Sequence, residues 1–369
     1  MKFTAEKNEL YETITNASKA CATKSALNIL DGVLLTLENN TLTVTGYDLE
    51  IGIKVSMTVN GDEDGKIVAD PKLLSEMTKK MQGDMIDVTL IDNKLLKVTS
   101  GKSTLSIPCR SGSDFPNIIE TKKENTFEIS EKLLKDMFLR VNYAVSRTKP
   151  ELEAIKMEIE DNVFYTVATD ANRLAAKHCT VENENMDIII PDKAVSSLLR
   201  VLTDDEKSEE KVNISIEKNQ ISISKPNYVL ISRLLENNFV QYKRILTAPF
   251  NRTMLINVKE LALSMERCLF LQSDKLKIPA TCTFEDSCMK INCKTPHGAI
   301  DDELEYKPKE GDFADFSINF NPRFMLEALQ KTTTEEILVS FESSIKPIMI
   351  TPPDNNGEFM FIIVPIRST

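Results

Sequence analysis

Apolar positions in this chain repeat one arrangement three times. Counting from Phe127, apolar or small residues fall at offsets 0, 2, 7, 11 and 14: Phe127, Ile129, Leu134, Phe138 and Val141. The same offsets from Phe3 give Ala5, Leu10, Ile14 and Ala17, and from Met254 they give Ile256, Leu261, Met265 and Cys268. A spacing of two that changes to threes and fours predicts a short strand followed by an amphipathic helix. The copies begin 124 and then 127 residues apart.

A second landmark keeps nearly the same period. Asp70-Pro71-Lys72-Leu73, Asp192-Lys193-Ala194-Val195 and Asn321-Pro322-Arg323-Phe324 each predict a helix start, spaced 122 and 129 residues apart. Asp or Asn can cap the free amides of the first turn, and proline suits the first helical position because its missing N–H would be unpaired there. The pattern predicts an α+β chain of three divergent copies of one domain, each of two similar halves, with boundaries at 1–122, 123–248 and 249–369. Polar residues 121–125 and the stretch 247–251 read as linkers.

Composition narrows the class. Hydrophobic residues make up 41% and charged residues 27% of 369 positions, the balance of a soluble globular protein long enough for several cores. No apolar run approaches the roughly 20 residues that cross a bilayer. The N-terminus carries no apolar signal core and is itself part of the first repeat. Seven cysteines, at 21, 109, 179, 268, 282, 288 and 293, form no CxxC pair, which points to reduced thiols in the cytoplasm. The net charge of −11 argues against a phosphate-backbone partner unless acidic and basic residues occupy different surfaces.

Catalytic and metal chemistry finds little support. His178 beside Cys179 could suggest a nucleophile and base, yet neighbours on a strand point to opposite faces. Cys282, Cys288 and Cys293 lack the paired short spacings of a zinc site, and His297 reads as a turn residue. Gly101-Lys102-Ser103-Thr104 resembles the end of a phosphate-binding loop, but Leu96 stands where that motif needs glycine, and the alternation that follows predicts a strand. No catalytic residue, metal ligand or cofactor site is expected. The residues describe a binding or scaffolding protein whose end, over 357–369, is an apolar strand. Chain ends normally fray unless something ties them down.

A set of local motifs then accumulates: Thr169-Asp170-x-x-Arg173-Leu174-Ala175, Ser232-Arg233-Leu234 followed by Phe239-x-x-Tyr242-x-Arg244-Ile245, Asp114-Phe115-Pro116, and Val364-Pro365-Ile366-Arg367. In that order, and with a triplicated domain, the whole chain resembles the bacterial DNA polymerase III beta subunits, the sliding clamps. The resemblance implies a DNA-clamp fold with two helices per domain packed on antiparallel sheets. It also implies a homodimeric, head-to-tail ring around duplex DNA, serving as a non-enzymatic processivity factor in DNA replication. DNA-facing candidates are then Lys19, Lys24, Lys72, Lys79, Arg140, Arg147 and Arg200. Their contacts with phosphate would carry no sequence information, so such a ring can slide.

The family's dimer interface maps to Leu105 and Ile107 on one side and Phe270 and Leu271 on the other, with Lys102 facing Asp301, Asp302, Glu303 and Glu305. Its partners, the polymerase III alpha subunit, the clamp loader and repair proteins, insert a short peptide into an apolar cleft. Here that cleft corresponds to Leu152, Thr169, Ala171, Asn172, Arg173, Leu174, Val240, Arg244, Ile245, Leu276, Asn321, Phe324, Ser344, Ile362, Val364, Pro365, Ile366 and Arg367. Ala171-Asn172 departs from the family's usual Gly-His, Val240 from its common proline, and Ser368-Thr369 extend beyond Arg367. A loader would be needed because the chain has no nucleotide site. Two other readings remain: a repeat-built peptide scaffold that binds no DNA, and a hydrolase using Cys179.

Overall fold

The computed structural model describes residues 1–22, 27–118, 126–202, 208–236, 238–272, 278–285, 288–296, 298–354 and 358–367. The linker over 121–125, Lys24, Leu276 and His297 lie outside them. Every residue of the threefold pattern is buried, Phe127 being the most exposed at 8%. Each such aliphatic or aromatic side chain contributes about 1.5–3 kcal/mol of burial, so the pattern marks the core of each copy.

Helices follow in chain order as α1 (Lys7–Ser18), α2 (Pro71–Lys80), α3 (Glu131–Val141), α4 (Asp192–Leu198), α5 (Tyr242–Leu246), α6 (Val258–Phe270) and α7 (Pro322–Leu329). The strands Lys2–Glu6, Thr126–Ser130 and Arg252–Asn257 run directly into α1, α3 and α6, as the spacing predicts. Asp70 caps α2 by accepting from the Leu73 amide at 2.7 Å, and Asn321 caps α7 by accepting from the Arg323 amide at 3.0 Å. Asp192 begins α4, and its buried carboxylate takes the Arg147 guanidinium at 2.7 Å. Arg200 and Lys331 lie just past the ends of α4 and α7.

Contacts divide the chain into two compact units, residues 1–133 with 193–235, and residues 134–192 with 236–369. The division cuts the middle repeat, and the sheets show why. In the first unit one sheet of 13 described strands runs without a break from the second half of the middle repeat into the first repeat. The joint is the antiparallel pair Tyr228–Arg233 with Ile51–Thr58, where Leu230 faces Ile53. In the second unit a nine-stranded sheet joins the first half of the middle repeat to the third through Arg173–Thr180 and Phe359–Ile363, where Ala175 faces Phe361. A separate four-stranded sheet completes the third repeat.

Two-residue hairpin turns set these registers. Asn39-Asn40 and Asp161-Asn162 all have φ between +47° and +66°, the mirror-image turn that matches strand twist, and Asn and Asp tolerate it. Gly101-Lys102 makes another two-residue turn, confirming a strand hairpin where a phosphate loop had to be weighed. No described helix is long and apolar enough to cross a membrane.

Candidate functional site

The sequence Thr169-Asp170-Ala171-Asn172-Arg173 folds into a closed turn between two strands of the second unit. The Asp170 carboxylate accepts from the amides of Asn172 at 2.8 Å and Arg173 at 3.0 Å. The Thr169 hydroxyl donates to the Arg173 carbonyl at 2.6 Å and accepts from the Ala171 amide at 3.1 Å. These bonds hold Ala171 at φ +75°, a left-handed conformation that costs an alanine about 1–2 kcal/mol.

Arg173 leaves that turn as a pin. Its guanidinium pairs with Asp170 at 3.1 Å and with Glu327 of α7. It also lies between the rings of Tyr143, 5.1 Å away, and Phe324, 4.7 Å away. Tyr143 meets Phe361 edge-on at 5.8 Å, and burial pushes its phenol pKa up. Arg173 is therefore a positioned, charge-compensated group whose side chain is 11% exposed.

Beyond the turn, Leu174 packs with Val167, Ala176, Tyr242 and Ile362, and Phe239, Val240 and Ile245 lean on this cluster. The Tyr242 hydroxyl donates to Glu158, while the Lys243 ammonium bridges Glu158 at 3.0 Å and Glu160. These bonds dock the short helix α5 on the sheet. Burial, followed by the Glu158 carboxylate, raises the Tyr242 phenol pKa.

The chain end is tied rather than frayed. The Val364 amide donates to the Asn172 carbonyl at 2.9 Å and the Ile366 amide to the Asn319 carbonyl at 2.7 Å. Pro365 between them is buried, whereas Val364 and Ile366 are each 39% exposed. Apolar surface held open by backbone bonds is what an apolar ligand segment needs.

Most of the expected cleft residues thus sit on connected pieces of structure: the turn of Thr169, Ala171, Asn172 and Arg173; the cluster of Leu174, Val240, Ile245 and Ile362; Phe324; and the tail of Val364, Pro365 and Ile366. Asn321 caps α7, and Leu152, 9% exposed, bonds its amide to the Lys149 carbonyl in the loop after α3. Arg244, Ser344 and Arg367 are exposed. Sequence reading missed Tyr143, Glu327 and Glu158. None stands in a motif; they come to the site only through packing.

The expected DNA-facing cations differ in their freedom. Lys72, Lys79 and Arg200 are exposed, with Lys79 lying 4.9 Å over the Tyr11 ring. Lys19 is half-buried and its ammonium donates to the Asn16 side-chain oxygen at 2.6 Å. Arg140 is taken by Asp136 at 2.9 Å and by the Lys331 carbonyl at 2.5 Å, and Arg147 by Asp192.

Two sheet edges carry the expected interface residues. The strand Ser103–Ser111 pairs along 103–108 with one neighbour only, and Gly298–Glu305 ends the four-stranded sheet. Among the described residues both edges are open. Phe270, at the end of α6, is 90% exposed and Leu271 half-buried. Lys102, Asp301, Glu303 and Glu305 are exposed and Leu105 half-buried. Ile107 is only 1% exposed, so it supports its own sheet and offers no surface. Asp302 is engaged by Ser264 at 2.6 Å and Arg267 at 2.8 Å.

Other chemistry stays unsupported. Burial raises the Cys179 thiol pKa to about 11, leaving little thiolate for a nucleophile at neutral pH. No group of three His, Cys, Asp or Glu among the described residues is arranged to hold a metal.

Comparison with known proteins agrees along the whole length. Profiles of the DNA polymerase III beta subunit match domain by domain: N-terminal over residues 1–119, central over 128–241 and C-terminal over 243–367. The beta sliding clamp of Streptococcus pneumoniae is 26% identical over 379 residues, covering 99% of each chain. That of Halalkalibacterium halodurans is 25% identical over 385 residues and all of both chains. The crystal structure of the DNA polymerase III beta subunit of Thermotoga maritima superposes with a TM-score of 0.91, at 27% identity over all of both chains.

Proposed function

Since the chain belongs to the DNA polymerase III beta subunit family, we propose that it is a sliding clamp, a non-catalytic ring of two copies that encircles duplex DNA and tethers the replicative polymerase and repair proteins. The observation that carries this reading is the repetition of one joint. At both internal junctions the third strand after the helix in one repeat's first half pairs with the third strand after the helix in another repeat's second half. The strands holding those places at the two ends of the repeat series, Ser103–Ser111 and Gly298–Glu305, are the ones whose outer edges lack a described partner. A head-to-tail dimer uses both, because a heterologous contact repeated until it closes makes a ring.

By analogy with the register of the first internal junction, we assign Leu105 to lie opposite Ile300 and Lys102 opposite Glu303 across the joint between copies. Leu105 and Ile300 are both half-buried at an open edge, and Phe270 supplies exposed apolar surface beside it. Retention on DNA then comes from topology and needs only weak, sequence-independent phosphate contacts. The domain boundaries we assign are 1–122, 123–248 and 249–369. All seven cysteines are free thiols, which fits a cytoplasmic location.

For the second unit we assign the surface around Arg173, Leu174, Val364 and Ile366 as the docking site for clamp-binding peptides of the polymerase III alpha subunit, the clamp loader and other partners. Its apolar cluster supplies burial, and the exposed Arg244 and Arg367 give direction to a peptide.

The deciding experiment is oxidation of the Lys102→Cys, Glu303→Cys double variant. It should give a covalently closed dimer that a loader places on circular DNA and that stays there until the DNA is cut. Failure to cross-link, with a monomer in sedimentation, would exclude this joint. Fluorescence anisotropy of a labelled Gln-Leu-x-Leu-Phe peptide tests the docking site separately. Micromolar binding, about −8 kcal/mol, should vanish when residues 365–369 are removed. Equal binding by both forms would sink the assignment, and so favour a peptide site elsewhere.

A further inference from the structure

Arg173 brings more hydrogen-bond donors to the docking surface than the protein itself uses. A guanidinium offers a fork of N–H groups on three nitrogens. Here Nε donates to Asp170 at 3.1 Å and Nη1 to Glu327, and the guanidinium makes no other hydrogen bond among the described residues. The side chain is only 11% exposed and lies between the rings of Tyr143 and Phe324. Largely buried donors without an acceptor are costly, and an incoming peptide can supply the missing one.

The charge of that acceptor is constrained by what already surrounds Arg173. One guanidinium faces two carboxylates, so the group carries an excess negative charge. Asp170 is tied into its turn by the amides of Asn172 and Arg173, whereas Glu327 comes from α7 and its side chain stays 32% exposed. Lys331, further along the same segment, does not cancel the excess: it makes no ion pair among the described residues, and burial, followed by Arg140, lowers its pKa. A carbonyl or side-chain amide can take the free donors at no electrostatic penalty. A third carboxylate would meet like charge.

We propose that Glu327 is a positioning residue that sets the charge class of the partner peptide: acting through Arg173, it makes the docking site accept an uncharged acceptor there and refuse a carboxylate. The inference rests on the docking site assigned around Arg173 and names what that site selects. Repulsion built against the wrong ligand is a general source of specificity. The acid accompanies the arginine. At the first junction, where Ile51 stands in place of Arg173, buried Leu198 holds the position in α4 that Glu327 holds in α7.

The test is fluorescence anisotropy of the full chain with labelled peptides. The parent, Gln-Leu-Asn-Leu-Phe ending in an amide, is compared with forms that each add one negative charge: Glu for Gln, Asp for Asn, or a free terminal carboxylate. The acid that meets Arg173 should weaken binding to the unaltered chain about tenfold relative to the parent. In Glu327→Gln that deficit should disappear or reverse, and in Glu327→Asp, which keeps the charge, it should return. A merely structural role would weaken the parent and the anionic forms alike. Equal deficits in the unaltered chain and Glu327→Gln, or no deficit for any anionic form, overturn the proposal and leave the docking site standing. If Glu327→Gln fails to fold, raising the salt concentration on the unaltered chain decides: the deficit must shrink as Glu327 is screened, and a deficit indifferent to salt overturns the proposal. No binding of the parent by the unaltered chain removes the docking site as well.

Discussion

The two internal junctions share a backbone and differ in what they leave open. At the first, Asp48 accepts from the amides of Glu50 and Ile51; at the second, Asp170 accepts from those of Asn172 and Arg173. Leu49 and Ala171 hold equivalent places with φ of +79° and +75°. The Arg233 amide donates to the Glu50 carbonyl at 2.9 Å, and its counterpart Val364 donates to the Asn172 carbonyl at 2.9 Å. The side chains then part. Where the second junction has Arg173 between two rings and Leu174 below, the first has buried Ile51 and Gly52. The side chain of Ile118 lies so close to Gly52 that a Cβ there would come within 2.7 Å of it. Ile118 thus fills the space beside Gly52 at the first junction. At the second, exposed Val364 replaces exposed Arg233, and apolar surface remains. A duplicated joint thus comes to expose apolar surface at one place and not at the other by exchanging side chains over an unchanged hydrogen-bond frame.

Five measurements can break or sharpen that contrast. Arg173→Ala strips two carboxylates and two rings of their shared partner and should lower unfolding free energy by about 3 kcal/mol in denaturant titration, with at least tenfold weaker peptide binding. Lys193→Ala, which frees Asp48 at the first junction, removes a contact whose lysine side chain is 51% exposed and should cost no more than about 1 kcal/mol. Equal losses would mean that the two joints are pinned alike. Ile118→Ala should cost about 1–2 kcal/mol and leave peptide affinity at the second junction unchanged; a drop in that affinity would show that the junctions do not act separately.

Ala171→Gly and Leu49→Gly should each raise stability by about 1 kcal/mol, since glycine accepts the left-handed conformation that both frames impose. Thermal unfolding checks this, and a loss at either position would mean that side-chain packing outweighs the backbone term. The smallest effect is in pH. The folded-state pKa of Lys19 lies below its unfolded value, so the unfolded chain binds more protons between about pH 8 and the ordinary lysine range. Stability of the unaltered protein relative to Lys19→Met should therefore increase as pH rises from 7 to 10. Solvent screening of a half-exposed ammonium keeps that gain to about 1 kcal/mol or less, and a relative loss would reverse the assigned cause.

Several elements could be read directly from the chain. The offsets from Phe3, Phe127 and Met254 located three strand-to-helix units because helix and strand periods act over a few residues, and burial confirmed each position. Asp70 and Asn321 identified caps for the same local reason. Arg173 and the tail at Val364 were visible through their motifs, yet their surroundings were not. Tyr143 and Glu327 lie about 30 residues before and 150 residues after Arg173, and no period or composition relates them. The family resemblance offered both Leu105 and Ile107 as interface; only packing shows that Ile107 is already covered.

What the sequence by itself determined is whatever short-range geometry controls: three copies, two helix starts in each, strands with an apolar face, and turns of Asn, Asp and Gly. Tertiary structure decided the rest. It drew the compact units across the middle repeat, because strand pairing continues between repeats while the repeat period records only duplication. It also decided which cations are already neutralised, Arg140 and Arg147 by acids and Lys19 by none among the described residues. Charge compensation depends on distances of a few ångströms between residues far apart in the chain, and those distances exist only after folding.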